Sequence, residues 1–277
     1  ATEQLIEVLK SDPRKEVKAS AAQALGNMKA RGVNNGAIEP LTQALTLDDT
    51  TAANAATALG QIKIGSNQAN QRLMAIALDK RGRETVRSAA LFALSQLKPV
   101  EAVQPMMLLM LSDETSAIIR KGAVTVLGEI QTKETLPALL WVLSTRYEDI
   151  KDFQRHIKRQ YRTMAGLSAA IDALKIGWTP EYPKPDYRTW SELKPIPSLV
   201  RSETAISLGK IKGDEVVEPL INALEEDERA AVRRSATWAL GEIKGDAVIP
   251  PLERTLKKDE QGIVRGEAAI ALGKIKG

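Results

Sequence analysis

The side chains with the most chemistry to offer lie in one stretch of this sequence. Positions 151 to 162 read KDFQRHIKRQYR and carry five Lys/Arg against one Asp, a local charge of +4 around the chain's one histidine, His156. Arg155, Lys158, Arg159 and Arg162 could contact phosphate or an acidic protein segment, and Tyr161 adds a ring among them. Seven of the ten aromatics fall between 147 and 190, among them Trp178, Tyr182, Tyr187 and Trp190. Cations interleaved with aromatics equip a recognition surface, or the rings could instead plug apolar surface left open where a repeat is degraded. His156 has no Ser or Asp at a diagnostic spacing, so it reads as a solvated helix-face residue.

A second basic set recurs along the chain: Lys18, Arg87, Arg120, Arg201, Arg233 and Arg265, each eight residues before a common anchor and interrupted only by Ala52. It could be a stack of ion pairs between structural units or a stripe for an acidic ligand. A formal charge of only +4, from 39 Lys/Arg and 35 Asp/Glu, favours the structural role and weighs against nucleic acid as the partner.

Composition excludes much else. Zero cysteines remove disulfides, thiolate metal sites and cysteine nucleophiles, and a single histidine removes multi-histidine metal clusters. Acidic residues are too numerous on the repeat faces to single out a catalytic pair. We therefore expect no catalytic, metal or cofactor site. No run reaches 18 uncharged apolar residues, so a soluble chain is expected, in the cytoplasm first with the periplasm left open.

The elements that must position these side chains are repeats. Aligned on Leu-Gly-x, seven segments fall into register with anchors Gly26, Gly60, Ser95, Gly128, Gly209, Gly241 and Gly273, at intervals of 34, 35, 33, 81, 32 and 32. The long interval divides into two periods of about 33 and roughly 15 extra residues, which makes eight units. Apolar or small residues recur nine, five and one before the anchor and two after it, as in Val232, Ala236, Leu240 and Ile243. Those steps of four, four and three put them on one stripe of a helix, here called B.

Shorter apolar runs opened by proline, IEPLTQAL at 38 to 45 and VEPLINAL at 217 to 224 among them, predict a helix A before each B, because a first turn tolerates the missing N–H. Acidic residues in the A–B turns, such as Asp12 and Asp227, are expected to cap helix B. A helix pair cannot bury its stripe alone, so neighbours must stack into a solenoid. The anchor glycine costs about 1 kcal/mol in a helix interior and so signals close approach of a neighbouring helix.

The segments DERAAVRRSATWALGEIKG and DEQGIVRGEAAIALGKIKG resemble the short HEAT-like repeat of the phycobilisome lyase class, and the resemblance covers nearly the whole chain outside 145 to 197. It implies an α-solenoid whose relatives include bilin lyase subunits, phycobilisome degradation factors and adaptor proteins. The histidine-glutamate pairs that mark HEAT-like iron hydroxylases are absent.

We therefore expect an all-α fold, a right-handed superhelical solenoid of about eight HEAT-like helix pairs spanning 1–277, with a divergent repeat and aromatic, proline-rich insertion at 145–197 in the fifth to sixth unit. The expected function is a non-enzymatic scaffold that binds another protein or an extended segment on a concave B-helix face and on the insertion. A chromophore-handling lyase subunit and a nucleic-acid-binding protein are the alternatives. The last repeat matches the consensus at every stripe position with no polar substitution, so its outer face is expected to meet another chain or a further segment.

Overall fold

The computed structural model describes residues 1–28, 35–112, 115–132, 135–144 and 196–276. Among them fourteen α-helices alternate as A and B. The chain forms two compact units, Ala1–Leu109 and Met110–Gly277. In the first, helices A are α1 (Thr2–Ser11), α3 (Ile38–Ala44) and α5 (Asn67–Leu78), and helices B are α2 (Lys15–Asn27), α4 (Asp49–Ile62) and α6 (Glu84–Leu97); α7 (Val103–Leu111), a helix A, spans the division. In the second lie α8 (Ala117–Ile130), α9 (Leu136–Ser144), α10 (Ser198–Ile211), α11 (Val217–Glu226), α12 (Ala230–Ile243), α13 (Ile249–Lys258) and α14 (Gly262–Lys276).

The predicted stripe is the core. Leu25, Leu59, Leu94, Leu127, Leu208 and Leu240 are each fully buried, and Ala55, Ala90, Ala123 and Ala236 beside them are small enough to let helices close on one another. Within the first unit α2 packs on α4 and α4 on α6; within the second α8 packs on α10, α10 on α12 and α12 on α14. Helices α1, α3, α5, α9, α11 and α13 each lean on the B helix that follows. Helix B ends where its next residue turns to positive φ, at Lys63, Lys98, Gln131, Lys212 and Lys244, which breaks the i→i−4 ladder and releases the chain toward the next A helix.

The anchor glycines mark the closest approaches. A Cβ on Gly26 would stand 2.7 Å from Ala58 Cα, on Gly60 2.8 Å from Ala93 Cα, on Gly209 2.7 Å from Ala239 Cα, and on Gly241 2.7 Å from Ala271 Cβ. In every case the anchor meets the small residue two before the next anchor. Gly128 obeys the same rule with Ser207, whose Cα would lie 2.9 Å from the added carbon. The units of Gly128 and Gly209 are therefore immediate neighbours in the stack, and α9 packs on α10 as a helix A on its B. The division of the 81-residue interval into two periods and roughly 15 extra residues falls on 145–195, outside the described residues, among which seven A and seven B helices stand.

A correction concerns the acidic turns. Asp12, Asp79, Asp227 and Asp259 occupy the C-cap of helix A in extended conformation, and each Oδ1 accepts the backbone N–H two residues on, at 2.8–3.0 Å, from Arg14, Arg81, Arg229 and Gln261. They shape the turn and do not cap helix B; that role falls to Asp48 and Ser116.

Packing at the anchors gives a test by sign. At Gly209 backbone lies in the way, so an added methyl should cost in the upper part of the usual 1–3 kcal/mol for overpacking and exceed the helix-propensity gain of about 1 kcal/mol. Gly273 has nothing within 4 Å. Gly209→Ala should lower the denaturation midpoint while Gly273→Ala raises it; equal shifts in the same direction would mean that Gly209 is not a contact.

Candidate interaction surface

Arg201 shows what the basic ladder does. Its side chain is 1% exposed; Nη1 donates to Ile196 O at 2.7 Å, while Nε and Nη2 donate to Asp227 Oδ2 and Oδ1, both at 3.1 Å. One unit on, Arg233 repeats the arrangement, with Nη1 on Asp227 O at 2.9 Å and Nε and Nη2 on Asp259 at 2.8 and 3.2 Å. The aspartate at the end of helix A is thus shared: its carboxylate takes the fork of the preceding unit's arginine, and its carbonyl takes the arginine of its own unit. Such bidentate charge-assisted bonds are geometrically demanding and lock adjacent units in register. Burial pushes the Asp259 carboxyl up, but the bonds from Arg233 and the Gln261 N–H outweigh it and hold the group below its usual range. The Asp259 carboxylate in turn holds the Arg233 guanidinium above its usual value.

The remaining ladder residues reach the end of their own helix A. Arg87 Nε donates to Ala77 O, Arg120 Nε to Met110 O, Arg265 Nη1 to Asp259 O and Lys18 Nζ to Lys10 O, at 2.7–3.2 Å. These cations belong to the scaffold. No group of three metal-ligating side chains occurs among the described residues.

On the opposite face of helices B the second unit carries a different pattern. Ten residues before the anchor stand Ile118, Leu199, Ala231 and Ile263, and three before it Thr125, Ile206, Trp238 and Ile270. These are seven apart, two helical turns, so both rows lie on one face turned away from helices A. Ile118 is 53% exposed, Leu199 42%, Ile263 58% and Ile270 56%. Between and beside the rows, charges are paired across the helix junctions: Lys121 with Glu203 at 3.7 Å, Arg234 with Glu267 at 3.0 Å, and Lys210 with Glu129 and Lys274 with Glu242, both at 2.6 Å. The Lys274 bond holds the Glu242 carboxyl below the usual carboxylate range, and the same ammonium lies 5.8 Å from the centre of the Trp238 ring. In the first unit the corresponding residues are Glu16, Thr50 and Thr85 in one row and Gln23, Thr57 and Phe92 in the other, so the apolar face there is reduced to Phe92.

The repeated helix pair has a counterpart elsewhere. A family model of HEAT repeats matches residues 2–95, 77–152 and 196–273. The chain belongs to the HEAT repeat family. Among curated proteins none matches its sequence. Of solved structures, the complex of CpcE and CpcF of phycocyanin lyase from Nostoc sp. PCC7120 is similar at 17% identity and a TM-score of 0.53, covering 100% of this chain and 94% of that one. Human deoxyhypusine hydroxylase is similar at 18% identity and TM-score 0.38 over 99% and 96% of the two chains, and a designed armadillo repeat protein at 18% and 0.42 over 99% and 100%. At these identities the likeness to the lyase complex speaks for the fold alone.

Within this HEAT array the insertion's candidate residues Arg155, Lys158, Arg159, Tyr161, Arg162, Trp178, Tyr182, Tyr187 and Trp190 lie outside the described residues, as does His156. The outward apolar rows escape a reading that seeks one stripe per helix. The signal is present, in Ile118, Leu199 and Ile263 at one offset from three anchors, and it becomes legible once the core stripe is subtracted. No helix among the described residues is long and apolar enough to cross a membrane.

Proposed function

We propose that this HEAT array is a non-enzymatic protein-binding scaffold whose contact surface is the outward face of α8, α10, α12 and α14. The observation that carries the reading is the register of Ile118, Leu199, Ile263 and Ile270, four large apolar side chains exposed on one face of one unit. A single exposed isoleucine is ordinary, whereas four large apolar side chains in register on one face are the mark of a binding surface. The charges on that face are already paired across junctions, so covering them strands no ion. The partner is another protein or an extended segment offering apolar side chains to a long shallow surface. The insertion adds a second contact, its cations Arg155, Lys158, Arg159 and Arg162 facing acidic groups and its Trp178, Tyr182, Tyr187 and Trp190 supplying rings, a reading that rests on the sequence.

In the test, the protein retained from the native host is identified and its affinity measured. Ile118→Ser, Leu199→Ser and Ile263→Ser together should leave folding nearly intact, since exposed changes stay within about 0.5 kcal/mol each, yet weaken the complex at least roughly tenfold. Replacing Trp178 and Trp190 by Ala should weaken it further, and neutralising the four cations should flatten its salt dependence. Full affinity in the folded triple variant would remove this face from the reading.

A chromophore-handling role is the second reading, supported by the likeness in fold to the phycocyanin lyase complex. It requires a change in visible absorption when bilin is added to the protein, and an unchanged spectrum sinks it.

A further inference from the structure

The outward face of helices B in the second unit carries a charge pattern as regular as its apolar rows. At each junction the anchor meets the residue two before the next anchor, so α8, α10, α12 and α14 run parallel in near register and equivalent positions form rows. One charged row lies between the two apolar ones, six or seven residues before the anchor: Lys121, Glu203, Arg234 and Glu267. A second stands one residue after the anchor: Glu129, Lys210, Glu242 and Lys274. The signs alternate along each row and are opposed between the two rows on every helix, so the eight charges form a checkerboard with no net charge. Within the chain this makes ion pairs from α8 to α10 and from α12 to α14.

Such a face is its own complement. A half-turn about an axis parallel to the B helices, passing between α10 and α12, sets α8 against α14 and α10 against α12 of a second copy, with each row facing its own equivalent. Every charge then meets its opposite: Lys121 the partner's Glu267, Glu203 the partner's Arg234, Glu129 the partner's Lys274 and Lys210 the partner's Glu242. The apolar rows meet as well, Ile118 against the partner's Ile263, Leu199 against the partner's Ala231 and Ile206 against the partner's Trp238. A two-fold axis running across the helices does worse. With the apolar rows superposed it sets Lys121, Glu203, Arg234 and Glu267 each against itself, like on like, and shifted to oppose the charges it leaves the row of Ile118, Leu199 and Ile263 unmet.

We propose that the outward face of α8, α10, α12 and α14 pairs with the same face of a second copy about the axis parallel to these helices. The proposal rests on the reading of this face as a protein contact and names its partner. An exposed ion pair alone contributes little, but in this arrangement each joins a network of four charges, and none is stranded when the face is covered. The interface is isologous, so assembly closes at two chains.

The test is solution mass against concentration for the 277-residue chain of 30.1 kDa, which should rise toward twice the single-chain mass and no further. Two charge exchanges keep the ion pairs inside the chain: Glu129→Lys with Lys210→Glu, and Glu242→Lys with Lys274→Glu. Each alone sets like charges together at both symmetry-related contacts and should weaken self-association at least roughly tenfold. Mixed in equal amounts, the two variants oppose every charge again and should pair with each other. Ile118→Cys and Ile263→Cys check the axis independently, at exposed positions of a chain without cysteine. Mixed, they should be joined to each other by a short thiol cross-linker, while Ile118→Cys alone should not be joined to itself. Single-chain mass for the unaltered protein throughout, undiminished association of either exchange variant, no recovery in the mixture, or cross-linking of Ile118→Cys to itself would each overturn the proposal. If the parent stays single-chain while a host protein is lost on the triple serine substitution, the scaffold reading stands and this proposal alone falls.

Discussion

Asp227→Ala should destabilise the second unit by about 3–5 kcal/mol, the range for stranding one member of a buried ion pair. Arg201 is 1% exposed and Asp227 0%, and two of the arginine's three nitrogens bond to that carboxylate at 3.1 Å. With the carboxylate gone, the guanidinium keeps only Ile196 O at 2.7 Å, and the exposed Glu228 3.3 Å from Nη2 is a poor replacement for a buried fork. The turn also loses the acceptor of the Arg229 N–H.

The net worth of the pair is another matter, because desolvating both ions nearly offsets their attraction. Arg201→Met combined with Asp227→Leu should therefore recover most of the loss, and the double-mutant cycle separates the two quantities. Chemical denaturation read alongside hydrogen exchange in α10 and α12 checks this, since the damage should begin at the junction they share. A cost below about 1 kcal/mol for the single change would mean that solvent reaches the pair in solution.

That junction also shows where sequence reasoning stops. The stripe through Leu208 and Leu240 is legible because helical period and burial impose the same spacing on every unit, and the anchor glycine is legible because it recurs against its helix propensity. The neighbour of the Gly128 unit is not legible in the same way, because Gly128 meets Ser207, a contact 79 residues apart in the chain that no local spacing announces.

The aspartates fail for a different reason. A residue at the end of helix A and one at the start of helix B differ by two positions, and the extended backbone of Asp227 and Asp259 decides between them. The spacing of the ladder was visible from Lys18 to Arg265, but its partners were not, because Arg201 and Asp227 meet across units, 26 residues apart. The apolar rows at Ile118 and Leu199 require knowing which face helices A already cover.

The last expectation sets two residues of the same B layer against each other. Leu240 lies on the inner stripe of α12, fully buried where α12 meets α10, α11 and α14. Ile270 lies on the outward row of α14 and is 56% exposed. Truncating a buried leucine removes its transfer free energy and leaves a cavity that close-packed neighbours fill only in part, so Leu240→Ala should cost about 2–5 kcal/mol. Ile270→Ala removes atoms that water already reaches and should stay within about 0.5 kcal/mol. In a one-dimensional stack the loss at Leu240 is felt first by the adjoining interfaces, so hydrogen exchange should quicken in α10, α12 and α14 before it does in α8. Comparable costs for the two substitutions would mean that the B helices are rotated from the register described here, and the outward rows would then have no claim to be a surface.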